Sequence, residues 1–135
     1  MSTNAAHIES GAGRTGRVGN VALWVLQIGA AAMFFMAGGM KLSGAPDMVA
    51  MFDAIGVGQW FRYVTGGVEV AGAALLLVPR LAGVGALLLA ATMVGAVVTH
   101  LAIVGGSPAM ALVLLAVTAT IAYARRERTL RLLGR

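Results

Sequence analysis

Phe61-Arg62-Tyr63-Val64-Thr65-Gly66-Gly67-Val68-Glu69-Val70-Ala71-Gly72-Ala73-Ala74-Leu75-Leu76-Leu77-Val78-Pro79-Arg80 reads as a membrane-spanning helix with a carboxylate inside it. Glu69 is the only acidic residue within a long apolar run of this chain. A charged side chain in hydrocarbon costs about 2.5–3.5 kcal/mol on insertion scales. Such a residue normally meets a partner or faces a cavity, which makes Glu69 a candidate functional group. The rest of the chain is read by asking what could meet it.

The composition agrees with a membrane location. Hydrophobic residues make up 59% of the 135 residues and charged residues 11%, far from the soluble average. Apolar runs of about 20 residues, each able to cross a bilayer, account for this. Cysteine is absent, which excludes disulfides, thiolate metal sites, iron–sulfur clusters and cysteine nucleophiles. His7 lies in the N-terminal stretch and His100 in an apolar run, so the spans offer one imidazole. A haem would lack a second histidine ligand. The net charge of +5 is not a nucleic-acid signal, because the bases sit at span ends and in the tails, where topology and anionic lipid explain them. The first apolar run is too long for a cleaved leader, so it is expected to remain as a span.

In chain order, residues 1–20 read as a flexible tail rich in Ser, Thr, Asn and Gly. Residues 21–124 read as a four-helix membrane domain, and residues 125–135 as a basic tail. The first span is expected from Val21 to Leu42, with Gln27 in its first half and Gly38-Gly39 allowing close helix contact. Residues 43–58 are too short to span. After Ser43-Gly44-Ala45-Pro46-Asp47, Met48, Met51, Phe52 and Ile55 repeat at i, i+3, i+4 and i+7 and Gly56 follows. That predicts a short amphipathic helix at the membrane surface. Trp60, Phe61 and Tyr63 form an interfacial aromatic belt.

The second span is expected over Tyr63–Val78, the third over Leu81–Val104 and the fourth over Ala109–Ala124. Pro79-Arg80 makes a tight reversal between two of them. Ala91, Gly95 and Thr99 form a small-residue ridge expected to pack closely on a neighbour. Ser107 is the expected N-cap of the fourth span, with Pro108 at its first helical position. The tail after Ala124 interleaves arginine with leucine and reads as a surface helix on anionic headgroups. The fold class is therefore all-α, a polytopic four-transmembrane-helix bundle with a short amphipathic helix between spans one and two.

Four spans put both termini on one side. That side holds Arg14, Arg17, Arg80, Arg125, Arg126, Arg128, Arg131 and Arg135, against Lys41 and Arg62 on the other. The bias predicts cytoplasmic termini. Glu69 then lies ~9 Å, and His100 ~6–7 Å, below the outer surface at 1.5 Å per residue. Lys41 ends the first span on the same side. Three ionisable residues distant in sequence converge on the outer leaflet, beneath the amphipathic helix.

The functional reading is a polar pocket in which Glu69, His100 and Lys41 bind a ligand or handle protons. A Glu–His pair there could hydrogen-bond a quinol or phenolic headgroup arriving from lipid. The competing reading is structural. Polar groups inside membranes also glue helices together, at about 0.6 kcal/mol per hydrogen bond, and Lys41 can snorkel to water. Gln27, Thr65, Thr92, Thr99, Thr118 and Thr120 read as packing residues. Met33, Met36 and Met40 read as lipid or core packing rather than a copper path. No metal site and no catalytic residue is assigned.

Phe35-Met36-Ala37-Gly38-Gly39-Met40-Lys41-Leu42 resembles the first-helix signature of the DoxX-like membrane proteins, an F-x-x-G-x-x-K-L pattern. The run from Gly66 to Leu77 resembles their second-helix signature, a glutamate followed by small residues. Val78-Pro79-Arg80, Thr92-Met93 and Thr99-His100-Leu101 continue the likeness, which covers Leu23 to Ala124. The resemblance implies a four-helix protein of the bacterial inner membrane. The wider group includes small subunits associated with thiosulfate:quinone or quinol oxidoreduction. Lys41, Glu69 and His100 occupy the polar positions of that pattern.

Several functions fit these features. One is an accessory subunit that binds a lipid-soluble molecule, with quinone as the cofactor candidate, and serves a redox partner protein. Another is a scaffold or assembly factor whose polar cluster only fixes helix packing. A small transporter and a stand-alone enzyme using Glu69 and His100 are weaker readings, since no redox metal site, nucleotide fingerprint or inverted repeat is visible. Membrane lipid is an expected partner, and the small-residue ridges permit a homo-oligomer.

Overall fold

The computed structural model describes the backbone of residues 2–134 and the side chains of residues 16–134. His7, Arg14 and Arg135, which enter the sequence reading, lie outside the described side chains. The described residues form helices and their connections, with no strand among them. In order these are α1 (Ser2–Ser43), α2 (Pro46–Ile55), α3 (Trp60–Leu76), α4 (Ala82–Thr99), a π-helical turn (His100–Val104), α5 (Ala109–Ala124) and α6 (Arg126–Leu132).

Proline punctuates this order. Pro46, Pro79 and Pro108 all fall in or beside connections between helices, as a residue without an amide hydrogen should. No proline precedes Pro46, and α1 begins at Ser2 rather than Val21. The tail expected over residues 1–20 is thus helical in backbone from Ser2. Once the apolar segment has nucleated a helix, each further residue adds one hydrogen bond, and nothing here blocks that growth.

Among the described residues, two helices are long and apolar enough to cross a membrane, over Gly16–Ser43 and Ala82–Val104. α3 has 17 residues and α5 has 16. They measure ~26 Å and ~24 Å, short of the ~30 Å hydrocarbon thickness. α5 and α6 make a longer apolar unit only as a bent pair, with 63° between them.

α1 packs on α3, α3 on α4, α4 on α5, and α5 returns to α1. The core between them is built on small residues, Ala30, Ala31, Ala73, Ala86 and Ala111, around Phe34, Leu76, Leu89 and Ile121. Large apolar side chains such as Val25, Met36, Leu87, Val98 and Leu101 face outward. Soluble monomers rarely expose contiguous apolar surface on this scale, so the outside of the molecule suits lipid.

Glycine sets two of the helix crossings. A Cβ on Gly38 of α1 would come within 2.7 Å of Val70 Cγ2 and 2.8 Å of the Gly66 carbonyl on α3. A Cβ on Gly85 of α4 would come within 2.9 Å of the Gly72 carbonyl. The expected ridge of Ala91, Gly95 and Thr99 is not such a crossing. Ala91 and Gly95 are exposed, and a Cβ on Gly95 would meet nothing within 4 Å. The small residues that set contact are those facing another helix backbone, which composition does not reveal.

Polar staples close both ends of the packed helices. At one end the fully buried Gln27 donates from Nε2 to the Leu76 carbonyl at 2.9 Å, and its Oε1 accepts from Arg125 Nε at 2.9 Å. Arg125 Nη1 donates to Asn20 Oδ1 at 3.0 Å. The packing role expected for Gln27 therefore extends to an arginine read from sequence as part of a surface tail. At the other end Arg62, also buried, donates from Nη1 to the Lys41 carbonyl and from Nε to Gln59 Oε1 at 2.7 Å. Gln59 Nε2 in turn donates to Asp53 Oδ1 at 2.7 Å and to the Val49 carbonyl at 3.0 Å. This chain of contacts fastens α2 to α3 and to the end of α1.

Candidate functional site

α2 roofs a cavity of about 440 Å³. Its periodic stripe, Met48, Met51, Phe52 and Ile55, lines the cavity, as the spacing predicts for its apolar face. Pro46 at the first helical turn starts α2, and Gly56, at φ +82, ends it in the left-handed conformation. Phe61 joins the roof, edge-on to Phe52 with ring centroids 5.8 Å apart. Phe34, Val68, Met93, Ala96 and Leu114 supply further apolar wall.

Six of the lining side chains are polar: Lys41, Thr65, Glu69, Thr92, Thr99 and His100. The three residues singled out from sequence therefore share one cavity. Lys41 Nζ lies 3.0 Å from Glu69 Oε1 and 3.2 Å from Oε2. The Glu69 side chain is 2% exposed and that of Lys41 13%, so the pair is largely withdrawn from solvent. Opposite charges at this distance cancel, which makes the wall neutral overall but strongly polar at one point.

Each partner is positioned from several directions. Lys41 occupies the last turn of α1, where a cation suits the helix dipole. Its backbone carbonyl is held by Arg62 while its side chain reaches Glu69. Glu69 lies one turn after Gly66, whose missing Cβ leaves room for Lys41 Cβ.

His100 is arranged differently from the expected Glu–His pair. Its Nδ1 lies 3.1 Å from the Gly105 carbonyl. A carbonyl only accepts, so Nδ1 carries the proton in that bond. The Gly105 amide donates back to the His100 carbonyl at 2.9 Å, closing the π-helical turn. Gly105 adopts φ 77 and ψ −165, a region essentially restricted to glycine. π-Turns recur at functional sites. Among the described residues Glu69 pairs with Lys41, and His100 reaches the same cavity from another part of its wall.

Arg62, Gln59 and Gly105 are the supporting residues that sequence reasoning missed. Arg62 looks like an ordinary flanking base, and no local pattern betrays its burial. Gly105 stands in a recognisable turn cluster, but the turn's hold on His100 is visible only in three dimensions.

Residues 25–124 match the DoxX-like family. The chain belongs to the DoxX-like family. The match takes in every polar residue of the cavity and ends at Ala124, before Arg125 and α6. No curated protein and no solved structure gives a significant match to the chain. Membership and the long apolar helices together make this a membrane protein.

Proposed function

We propose that this DoxX-like protein binds a lipid-soluble small molecule with a polar headgroup, quinone-like or lipid, as an accessory component of a membrane redox system. The observation that carries the reading is the Lys41–Glu69 pair set in the wall of a predominantly apolar cavity. Ligand pockets combine predominantly apolar walls with a few placed polar groups, at volumes of ~300–1,000 Å³. The resemblance to a group that includes quinone-linked subunits supports the choice of ligand.

In this reading the chain crosses the bacterial inner membrane four times, through α1, α3, α4 and α5, with cytoplasmic termini. α3 and α5 are short for a full crossing, and locally thinned bilayer or flanking side chains make up the difference. The arginine bias supports the orientation. Single cysteines introduced at Asp47 and Arg131 into this cysteine-free chain test it. Asp47→Cys should label from outside intact spheroplasts and Arg131→Cys only after lysis.

Mass spectrometry of small molecules that co-purify with the protein tests the ligand. If Glu69→Gln and His100→Ala proteins bind a quinone analogue as tightly as the unaltered chain does, the reading is lost.

One observation favours a second reading. Lys41 joins α1 to α3 through both its side chain and its carbonyl, as a purely structural staple would. A scaffold of this kind predicts that Glu69→Gln lowers thermal stability and disturbs recovery of partner proteins. A stable, normally assembled variant that has lost only ligand binding would argue against it.

A further inference from the structure

The hydrogen-bonding groups of the cavity are unequal in kind. The hydroxyls of Thr65, Thr92 and Thr99 donate to the carbonyls of Phe61, Leu88 and Gly95, at 2.9, 2.8 and 2.8 Å. Their only hydroxyl protons are thereby engaged, and their oxygens remain as acceptors. Glu69 is an acceptor. His100 donates through Nδ1 to Gly105 and has Nε2 left, which in the tautomer with its proton on Nδ1 is an acceptor too. Lys41 is the exception. Its ammonium has three donors, and the two contacts to Glu69 leave one N–H.

The cavity wall is therefore rich in acceptors and has one free donor. We infer that this site prefers ligands whose headgroup donates O–H, a hydroquinone or phenol, over the oxidised carbonyl form of the same molecule. The inference rests on the small-molecule reading above and adds the redox state that the pocket favours. A hydroquinone presents two O–H donors to the His100 and Glu69 acceptors, and its oxygens still accept from Lys41. A quinone has acceptors only. Lys41 satisfies one of its carbonyls and keeps Glu69 paired, while the imidazole nitrogen faces a headgroup that offers it nothing. Polar groups left unpaired on ligand binding are a strong source of discrimination.

The Lys41–Glu69 pair bears on the charge of the ligand rather than on its redox state. Its charges cancel within the wall, so it calls for no net charge on the ligand. The surrounding phenylalanine and methionine side chains suit a neutral, largely apolar ring, and methionine adapts to its shape.

The test uses the full chain in detergent or nanodiscs. A decyl-substituted benzoquinone and its hydroquinone, the latter held reduced under anaerobic conditions, are titrated separately by calorimetry. The hydroquinone should bind on the order of tenfold more tightly, the ratio set by one unsatisfied buried polar group. His100→Phe keeps ring volume but removes the acceptor. It should bring the two affinities together by weakening the hydroquinone and relieving the quinone of an unpaired acceptor. Equal affinities for the unaltered chain, or a preference for the quinone, overturn the inference while leaving the pocket reading intact. Retention of the full preference by His100→Phe overturns the part assigned to His100. Failure of both forms to bind overturns the pocket reading and this inference with it. The comparison of the two forms on the unaltered chain decides the main question even where the variant does not fold.

Discussion

Lys41 Nζ bridges both carboxylate oxygens of Glu69, at 3.0 and 3.2 Å, across 28 positions of sequence. The two residues stand on different helices, and their union joins the end of α1 to the middle of α3. The partners are unequally exposed, at 13% for Lys41 and 2% for Glu69. That asymmetry decides what each substitution should do.

Lys41→Met leaves the more deeply buried charge without a partner, and breaking a buried pair in this way costs about 3–5 kcal/mol. Glu69→Gln leaves the more exposed charge, whose flexible stem can carry it outward, so it should cost less. The double variant Lys41→Met with Glu69→Leu should recover most of the stability lost by Lys41→Met, because no charge is then stranded. Melting of the three proteins in detergent checks the order. A double variant no more stable than Lys41→Met would contradict it.

Gly38 and Gly39 are adjacent in sequence and opposite in consequence. Gly38→Val should push α1 from α3, since even a Cβ there would meet Val70 and the Gly66 carbonyl. Overpacking of this kind costs about 1–3 kcal/mol, and the separation should also pull Lys41 from Glu69 and weaken ligand binding. A Cβ on Gly39 would meet nothing within 4 Å. Gly39→Ala should be neutral or stabilise by about 0.5–1 kcal/mol through helix propensity. Equal melting temperatures for the two variants would refute the crossing geometry.

Gly105→Ala should disturb His100 without touching it directly. At φ 77 and ψ −165 an alanine is strained by about 1–3 kcal/mol. Relief of that strain should release the Gly105 carbonyl from the ring. Nitrogen chemical shifts of the labelled imidazole should show a protonated Nδ1 in the unaltered chain and a mixed tautomer in the variant. Unchanged shifts would mean that Gly105 does not hold the ring.

Arg125 and Arg128 test how far the C-terminal bases belong to the fold. Arg125→Met removes the donors to Gln27 and Asn20 and should cost about 1–3 kcal/mol for the acceptor left buried. Arg125→Lys should rescue only partly, because an ammonium does not reproduce the planar fork of a guanidinium. Arg128→Ala loses an exposed bond to the Pro79 carbonyl and should change stability by less than about 0.5 kcal/mol. Similar losses for Arg125→Met and Arg128→Ala would place both residues on the surface.

Much of the helix plan is legible from local pattern. The stripe Met48, Met51, Phe52 and Ile55 marks α2 and the face it turns to the cavity, because helical period is a property of nearby residues. The three prolines mark the connections for the same reason. A lone glutamate within an apolar run identifies Glu69 as a residue that needs an explanation, because the cost of burying charge does not depend on the fold.

Local pattern alone carries the helices from Val21 onward, their apolar outsides, and the placing of Lys41, Glu69 and His100 in one region, though not the growth of α1 back to Ser2. Packing in three dimensions is what gives Glu69 to Lys41 rather than to His100, brings Gly38 to Gly66 while Gly95 stays open, and turns Arg62 and Arg125 inward. Each of these depends on the angle and depth at which two helices cross. Distant backbones set that angle through contacts of a few ångströms, and no periodicity along a single segment encodes it.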